Sequence, residues 1–473
     1  MKKIFAGFVI CATTILNAQN VQDLNSMSAH SNEINSGSAR YIGMGGAMGA
    51  LGGDISATEQ NPAGAAIAIT SDVNVTMGVS TYKNEARFGN NIYKTDDNSF
   101  NFQNIGANFV FHNPSSEWNR FAIGIKYSEE NFDNWIKLGR NDNISATYLT
   151  SENPDQYTTY TMAGFQDLVE AYKVKTSIDF GASYKDQLFL GLGVNFHEVR
   201  YDNYVVFDED TDGTVYRYDL NGTPYSSRAS GISLNAGVIG KIQDNFRLGL
   251  AYHSPTWYTN VEENFYADLE ISDNNYFYDY YFSKYDRNSN GRLVASAGIV
   301  IDKSLALNAD YTLHMNGSNK FKPSSYFTDT NSFLDDYYKS SSEIRIGGEY
   351  RIDRFRLRAG YNFVQTPFDD LTLTADLGNG TPTTTNFSEI IRGDINRISF
   401  GLGYDFGGFY LDAAYQFQNQ EYNYIFGNAD YIDYDHAANE VYYAAIPMNE
   451  NYNLVSKIKN TRGLFLLTAG WQF

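Results

Sequence analysis

From Asp72 onward, apolar residues alternate with small or polar ones in runs of roughly eight to twelve positions, a period of two that predicts β-strands whose two faces meet different surroundings. Ile178, Phe180, Ala182 and Tyr184 alternate with Ser177, Asp179, Gly181 and Ser183. After Lys185-Asp186-Gln187 the pattern resumes, with Leu188, Leu190, Leu192, Val194 and Phe196 set against Gly191, Gly193, Asn195 and His197. That is one hairpin. A second reads Ile398, Phe400, Leu402, Tyr404 and Phe406, turns at Gly407-Gly408, and returns through Phe409, Leu411, Ala413, Tyr415 and Phe417.

The same grammar yields about fourteen strands, centred from Val75 to Leu467, an even number as bacterial membrane barrels have. Connections alternate in length. Short ones fall near Pro114, Asp186, Asp244, Asp302, Asp353 and Gly407, while long polar ones include Asn131 to Tyr172, Pro255 to Asn290 and Glu421 to Asn460. Short periplasmic turns, long outer loops and both chain ends on the turn side are the topology this predicts.

Composition sharpens the reading. The chain holds 38 Tyr, 32 Phe and 40 Gly against 9 Pro, which is strand chemistry. Outside the leader no continuous apolar run is long enough for a spanning helix, so any membrane crossing falls to strands. A soluble sandwich also alternates, but its dry core would not accept the charges on one face here: Lys126, Asp179, Asp310, Arg345, Glu349, Arg351, Arg356 and Arg358. The other face carries aromatics near strand ends (Tyr184, Phe196, Tyr252, Tyr350, Phe363, Tyr415), as a membrane-interface girdle would. A formal charge of -20 excludes a nucleic-acid partner. Residues 1–18, with Lys2-Lys3, an apolar run and Asn17-Ala18, read as a signal peptide cut after Ala18. Cys11 is the chain's one cysteine and lies in that leader, so the mature chain has no thiol chemistry.

Residues 19–70 do not alternate. They contain Ser38-Ala39-Arg40-Tyr41-Ile42-Gly43-Met44-Gly45-Gly46-Ala47, then Asp54 and Ala57, then Asn61-Pro62-Ala63-Gly64. A nucleotide loop is excluded, because no strand precedes the glycines and no Lys-Ser/Thr follows them. The run resembles the amino-terminal hatch of the outer-membrane long-chain fatty-acid transporter (FadL-like) family. The resemblance implies an all-β, transmembrane antiparallel barrel over 71–473, plugged by a periplasmic hatch over 19–70 that holds the Asn-Pro-Ala motif. It implies uptake of a hydrophobic small molecule from outside, with sideways exit through the wall. Relatives of that family also hold exported proteins for the secretion system of gliding bacteria, so a surface scaffold is the alternative, and a general porin is a third. The strand ending Phe465, Leu467, Ala469, Trp471, Phe473 resembles the signal read by the barrel-assembly machinery.

Other constellations add candidates. Asp208, Asp210, Asp212 and Asp219, with Gly213 between, have the spacing of a calcium loop, although the flanking pattern is not helical. Asp286, Asn288 and Asn290 repeat only its opening. Six scattered histidines show no metal-ligand spacing, and no nucleophile elbow or acid pair stands out, so no enzyme and no other cofactor is expected. Tyr276, Phe277, Tyr278, Tyr280, Tyr281 and Phe282 form the densest aromatic patch, a candidate ligand groove in an outer loop.

Overall fold

The computed structural model describes residues 29–31, 34–88, 90–150, 153–243, 245–272, 275–376, 382–387, 389, 392–425, 430–435, 440–445 and 455–473. The leader and the first part of the hatch segment lie outside them.

Fourteen antiparallel strands close into a barrel. They are β1 (Asp72–Phe88), β2 (Asn91–His112), β3 (Trp118–Asn131), β4 (Asn153–Tyr184), β5 (Leu188–Thr211), β6 (Thr214–Ile242), β7 (Phe246–His253), β8 (Gly291–Ile301), β9 (Leu305–Met315), β10 (Ser341–Ile352), β11 (Phe355–Val364), β12 (Ile395–Asp405), β13 (Phe409–Ile425) and β14 (Val455–Gln472). Each pairs with the next, and β14 closes on β1 with Val75 opposite Ala469, so no sheet edge is left unpaired among them. Every strand centre anticipated from the alternation falls within one of these strands, and the six short turns fall where anticipated.

The long connections differ from expectation. Residues 131–172 and 255–290 were read as loops, yet much of each is strand that carries the wall outward. Beyond Ser254-Pro255-Thr256, β7 continues as Trp257–Ser272, which pairs with Asn275–Asn288 leading into β8. A continued ladder satisfies the backbone amides and carbonyls of these excursions. Alternation fades there because the outward face meets water rather than lipid and a bulge between Tyr258 and Val261 shifts the phase of the buried positions. A short helix, α1 (Ala39–Gly43), precedes the barrel, and α2 (Thr328–Tyr337) covers part of its outer end between β9 and β10.

Face assignment follows the pattern. Leu192 (64% exposed), Phe400 (59%) and Leu467 (56%) point outward, as a lipid-facing belt requires. Lys126, Asp179, Asp310, Arg345, Glu349 and Arg358 are buried inside. Two depart from this: Arg356 is half-buried and pairs with Asp405 at 2.7 Å, and Arg351 is exposed at the β10–β11 turn, where it donates Nε–H to the Asp353 carbonyl at 2.9 Å. At the inner rim Phe355, Tyr404, Phe406, Phe409 and Trp471 follow one another with ring centroids 4.6–5.6 Å apart. Phe473 beyond them is exposed, and its backbone is joined to Ser71 by two hydrogen bonds of 3.0 and 3.1 Å.

Candidate functional site: the hatch in the lumen

Residues 34–66 are almost entirely buried, and their contacts run round the inside of the wall. Local capping shapes the segment. Ser38 caps α1 by accepting from the Tyr41 amide at 3.1 Å, and the Asp54 side chain accepts from the Ser56 amide at 2.8 Å at the head of a 3-10 turn over Ile55–Glu59. Asn61 does the same for the turn Pro62–Ile67, accepting from the Ala63 amide at 3.1 Å while Pro62 occupies the first position of the turn.

The hatch glycines have distinct tasks. Gly45 and Gly46 lie at φ +65° and +73°, a region that side chains disfavour, and they reverse the chain after α1. Gly43 instead ends α1 against the wall, where an added Cβ would lie 3.1 Å from the Gly401 Cα. Gly64 packs on Gly52 within the hatch, at 3.3 Å by the same measure.

The other half of this contact, on the wall, went unread in the sequence. Ten wall strands each place a glycine against the hatch. Gly106 and Gly124 receive Ile55, Gly181 receives Ala66, Gly191 and Gly237 receive the Asn61-Pro62-Ala63 turn, and Gly249 lies against Asn61 and the Gly49 carbonyl. Gly298 meets Ala50 and Leu51, Gly347 meets Met44 and Ala47, Gly360 meets Gly45, and Gly401 meets Gly43. At Gly181, Gly191, Gly249, Gly347, Gly360 and Gly401 hatch backbone thus rests directly on wall backbone, and at the other four a hatch side chain fills the space.

Polar contacts fix the register. Asn61 donates Nδ2–H to the Val238 carbonyl at 3.1 Å. It does not reach Arg356, Arg358 or Glu349, the partners face assignment had suggested; Glu349 and Arg358 instead engage Arg40 and Asp412, with Arg40 Nη2 to Glu349 at 2.9 Å and Arg358 to Asp412 at 2.7 Å. Asn108 and Arg120 donate to the carbonyls of Ala65 and Ala66 at 3.0 and 2.8 Å, and Arg247 to that of Leu51 at 2.8 Å. Glu59 is the electrostatic centre. Its carboxylate, 4% exposed, meets Lys126 at 3.0 Å, Lys175 at 2.7 Å and Arg292 at 3.1 Å. Burial alone would raise its pKa, but Lys175, Lys126 and Arg292 together outweigh that and hold it well below the ordinary carboxylate value. Next to it Gln60 donates to the Tyr41 hydroxyl at 2.7 Å and accepts from Arg345 at 2.6 Å.

Outward of the hatch the lumen changes character. One apolar cluster gathers Phe88, Ile136, Phe165, Phe207 and Ile458, and another Val199, Tyr258, Val261, Phe321, Leu334 and Phe368. A cavity of about 190 Å³ lies between the outer end of the hatch at Ala29 and the outward parts of β3–β5 and β12–β14.

The remaining sequence candidates are placed as follows. Asp208, Asp210 and Asp212 lie on a β-hairpin that turns at Asp212-Gly213, both at positive φ. Asp208 accepts both prongs of Arg217 at 2.6 and 2.9 Å, Asp210 pairs with Arg140, and the Asp219 side chain is outside the described residues. No group of three metal-ligating side chains occurs among the described residues. Tyr276, Phe277, Tyr278, Tyr280 and Tyr281 fall on the strand Asn275–Asn288 rather than in a loop; their side chains are outside the described residues, and Phe282 beside them is exposed.

Neither a family model nor a curated relative matches the sequence. Solved structures do match. A Pseudomonas aeruginosa FadL homologue superposes with a TM-score of 0.55 at 14% identity over 94% of this chain and all of the other. The Pseudomonas putida toluene transporter TodX gives 0.55 at 13% identity over 93% of this chain and 99% of its own, and the monoaromatic hydrocarbon channel CymD gives 0.52 at 12% identity over 94% and 99%. At such identity the likeness is one of fold, and it extends along nearly the whole of both chains: this protein is a fourteen-stranded transmembrane barrel built on the plan of the FadL-type channels.

Proposed function

We propose that this protein is an outer-membrane channel for the passive uptake of hydrophobic small molecules, gated by its N-terminal hatch. The observation that supports this best is the division of the lumen. Its inner part holds tightly packed hatch residues, and its outer part carries two apolar clusters and a cavity. A barrel of this kind offers an apolar solute a place to partition from outside, and passage inward requires the hatch to shift. The lipid-facing belt supports location in the outer membrane, and the fold shared with toluene and monoaromatic hydrocarbon channels supports the class of cargo. A general porin needs a water-filled lumen, which a packed hatch opposes.

Replacing Asn61 with Ala and Pro62 with Gly removes the turn's cap and its fixed backbone, at a cost of about 1 kcal/mol for the cap, without touching the wall ladder. The variant should remain a heat-modifiable barrel, conduct more in planar bilayers and admit a hydrophobic probe faster into proteoliposomes. A folded variant with wild-type conductance and wild-type uptake would remove the basis for hatch gating.

A further inference from the structure

The lipid-facing side of the wall is not evenly covered. Over β4–β7 it carries bulky side chains such as Phe180, Leu192, Leu234 and Leu250. Over β8–β11 the outward positions turn small: Ala297 lies opposite Ala309, and Gly348 opposite Ala359. Leu307, Ile346 and Phe400 stand beside them, and together they bound a groove of about 700 Å³ that opens towards the membrane. Pockets that hold whole ligands span roughly 300–1,000 Å³. Wall backbone separates the groove from the lumen, since Gly347 and Gly360 of the same strands carry the hatch on the other side. Its depth follows from the strand ends. Ile352 closes β10 at the inner rim four positions past Gly348, a rise of about 13 Å at most, and half the hydrocarbon thickness is about 15 Å. The groove therefore lies in the inner half of the bilayer, where its neighbours are acyl chains of the periplasmic leaflet. A gap on such a face forfeits dispersion contacts, which favours a chain that fills it.

Between the groove and the inner rim the outward positions stay apolar, with Leu305 opposite Tyr350 and Tyr350 opposite Leu357, and charge begins at the turns. The β8–β9 and β10–β11 turns adjoin, the Arg351 amide donating to the Ser304 carbonyl at 2.7 Å. They expose Asp302, Lys303, Arg351, Asp353 and Arg354 side by side. Elsewhere on this rim Lys185 pairs with Glu117 and Arg356 with Asp405, each at 2.7 Å, but among the described residues Lys303, Arg351 and Arg354 enter no ion pair. A surface of both signs fits a headgroup of both signs, with phosphate on the cations and ammonium on the carboxylates. A headgroup with phosphate alone leaves the carboxylates unmatched. We propose that this face holds one phospholipid of the periplasmic leaflet with a phosphate-and-amine headgroup. An acyl chain lies in the groove over Ala309, Gly348 and Ala359, and the headgroup rests on the two turns. The lipid backs the strands that seat Met44 and Gly45 on the inner side. It lies outside the barrel, so the site stands whether or not the uptake reading does.

Native mass spectrometry of the full-length protein in non-ionic detergent tests this with phosphatidylethanolamine, phosphatidylglycerol and palmitate as probes, the two phospholipids carrying identical chains. One phosphatidylethanolamine should stay bound, about tenfold more tightly than either of the other probes. Ala309→Phe fills the groove from a side that faces lipid, and should weaken that binding about tenfold while barrel heat-modifiability remains. Lys303→Gln combined with Arg354→Gln, on exposed turns where folding is not at stake, should bring phosphatidylethanolamine down to the level of phosphatidylglycerol, because charge-assisted bonds to the phosphate are gone. Leu192→Phe, on the evenly covered wall, should change nothing. Phosphatidylglycerol or palmitate held as tightly as phosphatidylethanolamine, several lipids bound with none distinguished, or tight binding unaltered in both Ala309→Phe and the double variant would each overturn the site. A protein dimer in place of the lipid adduct, broken by Ala309→Phe, would also overturn it and give the groove to a second copy of the chain.

Discussion

The inner and outer parts of the lumen are filled by different means. Inside, hatch residues lie on glycines of ten wall strands, and one buried carboxylate, Glu59, is shared by Lys126, Lys175 and Arg292. Outside, bulky side chains of the wall itself pack on one another and leave a cavity lined by arginines and carboxylates together, Arg397 and Arg462 with Glu130 and Asp167. A separate segment laid on small residues can leave as a unit once its polar anchors to the wall, Lys126, Lys175 and Arg292 on Glu59 among them, let go. A core of interdigitated wall residues cannot. Under the proposed function, movement falls to the inner part and entry of the solute to the outer.

Glu59→Gln should break the contrast most strongly. It leaves Lys126, Lys175 and Arg292 without their shared counter-charge, and removing one partner of a buried ion pair costs about 3–5 kcal/mol. Amide exchange over residues 55–66 should quicken while the strands stay protected. The pH dependence follows from the depressed pKa. A carboxylate held below its ordinary value of 4.5 contributes stability that is present above that value and is lost only as pH falls through the lower, folded one. Hatch protection in the wild type should therefore persist from pH 7 to about 4.5 and fade only in stronger acid. Fading near neutral pH would show that Glu59 is not the anchor.

A smaller effect is expected at the glycine seat. Gly181→Ala places a methyl group 2.8 Å from the Ala66 amide nitrogen, and overpacking of this kind costs about 1–3 kcal/mol. The hatch should become protease-sensitive while barrel heat-modifiability remains. Gly240→Ala, with nothing within 4 Å of the added methyl, serves as the silent control. The smallest effect belongs to the outer hairpin. Gly213 at φ +83° turns in open space, so Gly213→Ala should cost about 1 kcal/mol through backbone strain alone and leave hatch protection unchanged. A hatch response to that substitution would blur the division between the two parts.

Much of the wall was legible in the sequence, because period-two alternation is a local signal and lipid enforces it from Val75 to Leu467. The outward hairpins escaped: their outer face meets water rather than lipid, a bulge between Tyr258 and Val261 breaks the phase, and residues 257–272 and 275–288 read as polar loop although they pair as strands. The hatch motif was visible as Gly43, Gly45, Gly46 and Asn61-Pro62-Ala63, yet Asn61 was aimed at the wrong partners, since the register between hatch and wall depends on contacts nearly two hundred positions apart, such as Asn61 with Val238. A signal for the seat did exist. Gly181 and Gly191 sit opposite each other on the same face as Asp179 and Asn195, and a glycine recurring on the polar face of strand after strand marks a surface meant for close approach. The cavity could not be found that way, because its wall is assembled from six strands and the ends of their connections.

The account's central claim is that the hatch must move for solute to pass, and a reversible tether tests it most directly. A Cβ added at Gly298 would lie 3.4 Å from that of Ala50, close to the roughly 3.5–4.5 Å spanned by disulfides, so Ala50→Cys with Gly298→Cys can join hatch to wall. Flux of toluene into proteoliposomes should fall to background when this pair is oxidised and return on reduction, with each single variant insensitive to both treatments. Equal flux in the oxidised and reduced states, with the cross-link verified by mass spectrometry, would contradict the account.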